Sequence, residues 1–382
     1  MSANQGDGGR TQAFGEYMVE LLNHSAVTLM ISVGHRTGLL DVLGQGAWMS
    51  VQQIAARAGL SERYVREWLA AMATGKVLDY NAARGLYRLP PEHAAWLTRA
   101  ASPNNLATST QWIGLMGAAE DHVVSAFRHG SGVPYEAFHR FHHVMAEESG
   151  QTVVAALRDH LLPLVPGLAE RLGAGIDVLD VGCGAGRALQ KLAGMFPASR
   201  FVGYDLSEQA IRMAREETET RGLANVRFEV MDLAQMDDIH AYDLITSFDV
   251  IHDQARPDAV LRGIRRALRP DGVFFMQDIS GSGDLEGDMS HPLGPFLYTI
   301  SCFHCMSVSL ANDGPGLGAM WGKPLALKML REAGFDDVRV ESLPHDPLNF
   351  YYIAEPVRPR LHLGQNGHSS VLDQMIRDVV SL

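Results

Sequence analysis

The sequence is poor in cysteine, in net positive charge and in long apolar runs. Three cysteines among 382 residues are too few for a disulfide scaffold and suit a reducing cytosol. Lys and Arg number 32 against 44 Asp and Glu, a net charge of −12. The chain as a whole therefore repels a nucleic-acid backbone, with room only for a local basic patch. The opening MSANQGDGGR lacks the apolar run of a signal peptide. Leu21 to His35 is apolar but too short to span a bilayer. Pro292 to Asn312 is long enough and free of Asp, Glu, Lys and Arg. Its two prolines, His304, Asn312 and several hydroxyl residues nevertheless suit a buried or ligand-facing segment better than lipid. Membrane, collagenous and wholly disordered classes are excluded. With 46% hydrophobic residues the chain can bury a sizeable core, and its length predicts two domains.

Residues 1–12 are polar and Gly-rich and read as a mobile terminus. From Phe14 to Leu43, apolar residues recur at helical spacing around Val19, Leu22, Val27, Met30 and Leu40. Ser50 is placed to cap a helix ended by Gly59, and Ser61 a second one ended by Gly75. KVLDYNAARGLYRLP then reads as two short strands around a turn. Residues 13–100 are thus expected to form an all-α/winged-helix domain, followed by a helical connector over 101–165. From 166 to 356 the runs IDVLDVG, RFVGYDL, VRFEVMD, YDLITSFDV and GVFFMQDI alternate with helical stretches, which predicts a parallel sheet. An irregular segment is expected at about 280–320. DVRVESL and NFYYIAE should pair antiparallel. The tail 357–382 is Arg/His/Gly-rich, with a helical pattern over VLDQMIRDVV.

The strongest chemical signal is Asp180-Val-Gly182-Cys183-Gly184-Ala-Gly186, directly after a strand and opening a helix. Glycines there let the backbone turn sharply and approach a ligand. Arg187 and Leu189 occupy the places where a dinucleotide fingerprint needs its third glycine, and no Gly-Lys-Ser/Thr of a P-loop is present. Asp180 is awkward for a pyrophosphate but favourable for a cation, so a positively charged, phosphate-free adenosyl cofactor fits better. Asp205 ends the second strand of this series, 19 residues after Gly186, where a carboxylate can accept from ribose hydroxyls. Asp232 ends the third strand, within reach of an adenine amino group. One such aspartate is more simply a strand-end cap. Three at successive strand ends point to a shared ligand.

On these residues, about 173–356 resemble the class I S-adenosylmethionine-dependent methyltransferases. VLDVGCGAG, FVGYDLSEQAIRMA, VRFEVMD, YDLITSFDVIHD and LRPDGVFFMQD carry the likeness. The resemblance implies an α/β fold with a Rossmann-like seven-stranded sheet, mostly parallel, with an antiparallel last strand. It implies S-adenosylmethionine as cofactor, with Gly182, Cys183, Gly184 and Gly186 shaping the loop. Asp205 and Leu206 would meet the ribose, Asp232 and the backbone of Leu233 the adenine, and Phe248 and Asp249 the methionine end. The run from Asp249 to Asp253 also resembles the His-Asp-Trp motif of small-molecule O-methyltransferases, with Gln254 in place of tryptophan. That resemblance makes His252 a general base with Asp253 beside it. The bland alternative is a histidine that only positions ligands or caps a helix. The whole chain is similar to bacterial methyltransferases with an N-terminal winged helix and the segment CFHCMSVSLANDGPGLGAMWG, which implies a homodimer.

Elsewhere, Cys302-Phe-His-Cys305 is a lone CxxC, and His139, His142 and His143 have helical i, i+3, i+4 spacing. Both fall short of the four ligands of a usual zinc site, and no metal is expected. His143, Phe303, His304, Met306 and Trp321 are candidates for an acceptor pocket, core packing being the alternative. The expected function is transfer of a methyl group from S-adenosylmethionine to a small, fairly apolar or aromatic molecule, most simply at oxygen. The rival is a ligand-sensing, DNA-binding regulator. Residues 51–100 hold seven Lys/Arg against four Asp/Glu, which keeps it alive. The mixed charges of SERYVREWLAAM and its apolar later turns favour buried packing of Trp68 and Leu69 over groove entry.

Overall fold

A computed structural model describes residues 5–356; the tail 357–382 lies outside the described residues. The first helix, Gln5–Thr37, begins well before the expected boundary, so residues 5–12 are helical rather than an unstructured terminus. Its second half is docked against the winged helix. Trp68 Nε1 donates to the Met30 carbonyl at 2.8 Å, and a Cβ at Gly34 would sit 2.4 Å from the Trp68 ring. Its first half presents Phe14, Tyr17, Val19 and Leu22 to solvent.

The winged helix follows from local chemistry. Ser50 closes a full capping box with Gln53 on the helix Val51–Ala58, a device worth about 1 kcal/mol. Gly59 ends that helix at φ 65°. Ser61 precedes the helix Glu62–Thr74 but its hydroxyl makes no capping bond; Glu62 in the first turn complements the dipole instead. On that helix Arg63 pairs with Glu67 and Arg66 with Glu62, while Val65, Trp68, Leu69 and Met72 are buried. The wing is the antiparallel pair β1 (Asp79–Asn81) and β2 (Leu86–Arg88), extended by a bridge from Met49 to Tyr87.

The remaining strands are β3 (Asp177–Val181), β4 (Arg200–Asp205), β5 (Val226–Val230), β6 (Tyr242–Phe248), β7 (Leu268–Ile279), β8 (Asp337–Leu343) and β9 (Asp346–Glu355). They form one sheet in the order β5-β4-β3-β6-β7-β9-β8, parallel except that β9 is antiparallel to both neighbours. This is the seven-stranded arrangement expected. Helices on each face bury two apolar layers, one around Leu179, Ile245 and Phe274, the other around Val178, Phe201 and Phe275. The chain runs outward from β3 to β5, then returns to β6 on the other side. That reversal opens a crevice at the carboxyl ends of β3 and β6, where open α/β sheets bind ligands.

Two local expectations change. The segment at about 280–320 is largely helical, with Gly294–Ile300, Ser301–Cys305 and Met306–Ala311 running on without a break. The lack of charge from 292 to 312 allows Leu297, Ser301, His304 and Val308 to be buried. His139 precedes the helix Phe141–Gln151, so the three histidines do not share a helical face. No helix among the described residues is long and apolar enough to cross a membrane.

Candidate active site

The crevice deepens into a cavity of about 820 Å³ between the sheet edge, the connector helices and the 294–311 helices. Its floor begins with the glycine loop. Gly182, Gly184 and Gly186 all adopt φ between 53° and 72°, the left-handed region that penalises a side chain. A Cβ at Gly182 would strike Val250 and one at Gly186 would strike Phe228, but at Gly184 nothing lies within 4 Å. The loop is therefore packed on both flanks and bare at its centre. Asp205 ties it down: one carboxylate oxygen accepts from Gly184 N–H and the other from Ser207 N–H, each at 2.8 Å. Each oxygen keeps a lone pair for a ligand. Asp232 also lines the cavity while capping the short turn Leu233–Gln235 and pairing with Arg256 at 3.0 Å.

The lining is acidic with little to balance it. Asp180 is 2% exposed and accepts from Thr246 Oγ1 at 2.7 Å. Burial, with Asp205 adding to it, pushes its carboxyl up to about 7. Burial and the nearby Asp278 push Asp249 up to about 8. Asp249 sits at φ 56°, unusual outside glycine. One of its oxygens accepts from Gln277 Nε2 at 2.8 Å and the other has no partner. A carboxyl raised on folding binds protons that the unfolded chain has released, so it destabilises as pH rises above about 4 toward its folded value. Asp249→Asn should therefore raise the melting temperature of the ligand-free protein by a few degrees at pH 8.5. The gain should shrink at pH 4.5, and equal melting curves at both pH values would refute the assignment.

His252 lies on the short turn after β6, 3% exposed, and lines the cavity. Its Nδ1 bonds Asp278 Oδ1 at 2.8 Å. The same oxygen accepts from Trp321 Nε1 at 2.9 Å and from the Ile279 amide at 2.8 Å. Burial opposes the imidazolium, but the Asp278 carboxylate outweighs it and raises His252 well above the ordinary histidine value. The Cys305 thiol adjoins the ring, and burial pushes that thiol up, leaving it neutral. With Nδ1 held by Asp278, Nε2 is the ring nitrogen free of that carboxylate. Asp253, next to the histidine, accepts from Tyr135 OH at 2.9 Å. Burial pushes its carboxyl up to about 6, partly offset by His252.

Cys183, Leu206, Leu233 and Phe248 line the cavity together with the glycines and acids of the loop and strand ends. Of the five acceptor candidates only His304 does so. Its ring stacks on Phe141, centroids 4.2 Å apart and planes 9° apart, with Trp112 and Tyr135 edge-on. Burial drops it to about 3, so it is neutral. His143 is exposed, and its neighbour His142 takes the place at the cavity, bonding Ser207 Oγ at 2.9 Å. Phe303 and Met306 point from the same helical run but do not line the cavity, and Trp321 is buried behind Asp278. Among the described residues no group of three His, Cys, Asp or Glu side chains is placed to hold a metal ion.

Sequence reading missed Asp278, Glu148 and Tyr135. Asp278 was within reach, because it ends a strand in the run GVFFMQDI just as Asp205 ends its own. Glu148 and Tyr135 lie in the connector, where no periodicity distinguishes them.

A sheet of this order, with a glycine loop and strand-end carboxylates at its reversal point, defines the class I methyltransferase fold, here preceded by a winged helix. Residues 172–302 match the family model of a methyltransferase domain, and residues 25–99 that of an Rv2258c-like winged HTH domain. A ubiquinone biosynthesis O-methyltransferase of Neisseria meningitidis is 33% identical over 107 residues, 27% of this chain and 44% of that protein. A fatty-acid O-methyltransferase of Mycolicibacterium smegmatis is 33% identical over 101 residues, 26% of this chain and 36% of that protein. The chain thus spans less than half the length of these curated relatives. Human N-acetylserotonin methyltransferase, solved in complex with SAM, superposes with a TM-score of 0.61 at 18% identity, covering 94% of this chain and 100% of that one. An O-methyltransferase family protein from Burkholderia thailandensis gives 0.61 at 17% identity, covering 90% and 98%. At such identities these structures share the fold.

Proposed function

We propose that the protein is an S-adenosylmethionine-dependent methyltransferase acting on an oxygen of a small molecule with a substantial apolar or aromatic part. The observation that carries this reading is that His252, backed by Asp278, lines the same cavity as Asp205 and the glycine loop. The residues fit the cofactor. Gly184 leaves room against the loop, Asp205 keeps lone pairs for ribose hydroxyls, and the buried, unbalanced Asp180 and Asp249 suit a cationic ligand. When bound, S-adenosylmethionine supplies a methyl group made electrophilic by its sulfonium. The protein's part is to align the acceptor with that methyl group and exclude water. His252 takes the acceptor hydroxyl proton on Nε2, while Asp278 holds the ring and stabilises its charge. Binding of S-adenosylhomocysteine to the intact protein, followed by titration calorimetry, is the direct test; no measurable heat from folded protein would sink the reading.

The three free cysteines are consistent with work in a reducing cytoplasm. The apolar stripe on the first half of Gln5–Thr37 supports a homodimer through the N-terminal domain, since so much exposed apolar surface is costly in a monomer. The double variant Leu22→Arg with Phe14→Glu should sediment as a monomer where the parent sediments as a dimer. A parent that is itself monomeric at micromolar concentration would remove the dimer. The self-paired charges and buried Trp68 of Glu62–Thr74 favour this packing role over insertion into a DNA groove.

A further inference from the structure

The cavity has a second acidic end that the cofactor reading does not use. Asp205 and Asp232 belong to β4 and β5, on one side of the crevice. On the other side, beyond Asp249 and the methionine end of the cofactor, Gln277 lies on β7, and Asp346 and Asn349 lie on β9, all lining the cavity. Sheet pairing connects them: Gln277 stands opposite Tyr351 and Ile279 opposite Asn349. Tyr351 OH donates to Asp346, as does Asn349 Nδ2 at 3.0 Å. Glu148 faces this end from the connector, held by Ser109 Oγ at 2.6 Å and by Trp112 Nε1. Strands lie about 4.8 Å apart, so β9 is about 10 Å beyond β6. That distance carries Asp346 and Asn349 past a cofactor lying over β3, β4 and β5.

Two features of this end point to a ligand. Gln277, 1% exposed, and Asn349, 9% exposed, each keep a side-chain oxygen with no partner, and a buried acceptor left unpaired costs about 1–3 kcal/mol. Both of these open side-chain valences are acceptors. Meanwhile the cavity is lined by nine carboxylates and only two guanidiniums. Arg187 is committed to the Ala146 carbonyl at 2.7 Å, and Arg256 to Asp232 on the far side. Neither answers Glu148 or Asp346. His252 already has Asp278, and His304 is neutral.

We propose that the β7–β9 end of the cavity binds a protonated amine carried by the methyl acceptor, with Asp346, Glu148, Gln277 and Asn349 as its recognition groups. The inference rests on the methyltransferase reading, since it assigns this end to the acceptor rather than to the cofactor. The acceptor is then amphiphilic: a flat apolar body against Phe141, Phe296 and His304, and an ammonium at the acidic end.

The test uses the full chain saturated with S-adenosylhomocysteine and a matched pair of probes, 2-phenylethylamine and 2-phenylethanol, titrated calorimetrically. The protonated amine should bind at least about tenfold more tightly than the alcohol. Asp346→Asn and, separately, Glu148→Gln should each cut that preference by about threefold or more, with S-adenosylhomocysteine affinity changed by less than about twofold. Equal binding of the two probes overturns the proposal, as does the absence of amine binding at about 10 mM, or an amine that competes with S-adenosylhomocysteine. The wild-type contrast stands even if a variant fails to fold. Failure of S-adenosylhomocysteine itself to bind marks failure of the underlying reading instead.

Discussion

Asp205→Ala is expected to weaken S-adenosylhomocysteine binding by about a hundredfold or more. The carboxylate has two duties. It holds the Gly184 amide and the Ser207 amide, fixing the bare centre of the loop, and it offers its remaining lone pairs to the ribose. Hydrogen bonds to a charged group contribute about 1.5–3 kcal/mol each, so losing two to the ligand gives about 3 kcal/mol or more, some two orders of magnitude. Asp205→Asn keeps the shape and one acceptor, and should fall between the parent and alanine. Calorimetry on both variants checks this, with a melting curve to confirm folding. An alanine variant that binds within about threefold of the parent would show that the ribose lies elsewhere.

His252→Ala should have the opposite signature. Turnover of a hydroxyl acceptor should fall by about 10² to 10⁴, the usual contribution of a positioned base, while cofactor affinity stays within about threefold. The dyad adds a pH dependence with a definite sign. Asp278 raises the histidine, so the ring keeps its proton to a higher pH and the base form accumulates only above the ordinary range. The acidic limb of the rate profile should therefore lie above pH 6.5, the ordinary histidine value. Asp278→Asn should shift that limb downward and lower the plateau by about tenfold or more, because the ring loses both its orientation and its charge partner. Initial rates from pH 5.5 to 9 separate these effects. A limb that does not move in Asp278→Asn would leave His252 with positioning alone.

Trp321 shows why the acceptor wall was harder to read than the cofactor loop. An aromatic residue in an uncharged, Gly-rich segment reads as pocket lining, but its indole N–H is spent on Asp278, behind the histidine it supports. Phe303 and His304 are neighbours on one helical run, and only His304 lines the cavity. Adjacent positions of a helical run face different directions around its axis, so facing the cavity depends on how that run is rotated against the sheet. Composition does not encode that rotation. His142 and His143 repeat the point: the exposed one was singled out, and the one bonded to Ser207 faces the cavity.

The sequence by itself determined the seven strands, the glycine loop, the winged helix and the acids at successive strand ends. These are local properties: apolar periodicity, glycine where φ must be positive, and polar residues where a strand meets its loop. Tertiary structure alone decided which carboxylate stands behind His252 and which ones converge on the β7–β9 end. Glu148 and Asp346 stand far apart along the chain. They meet because β9 turns back antiparallel beside β7 and the connector helix lies over that edge. An encounter of that kind is set by the packing of distant segments, and no spacing along the chain records it.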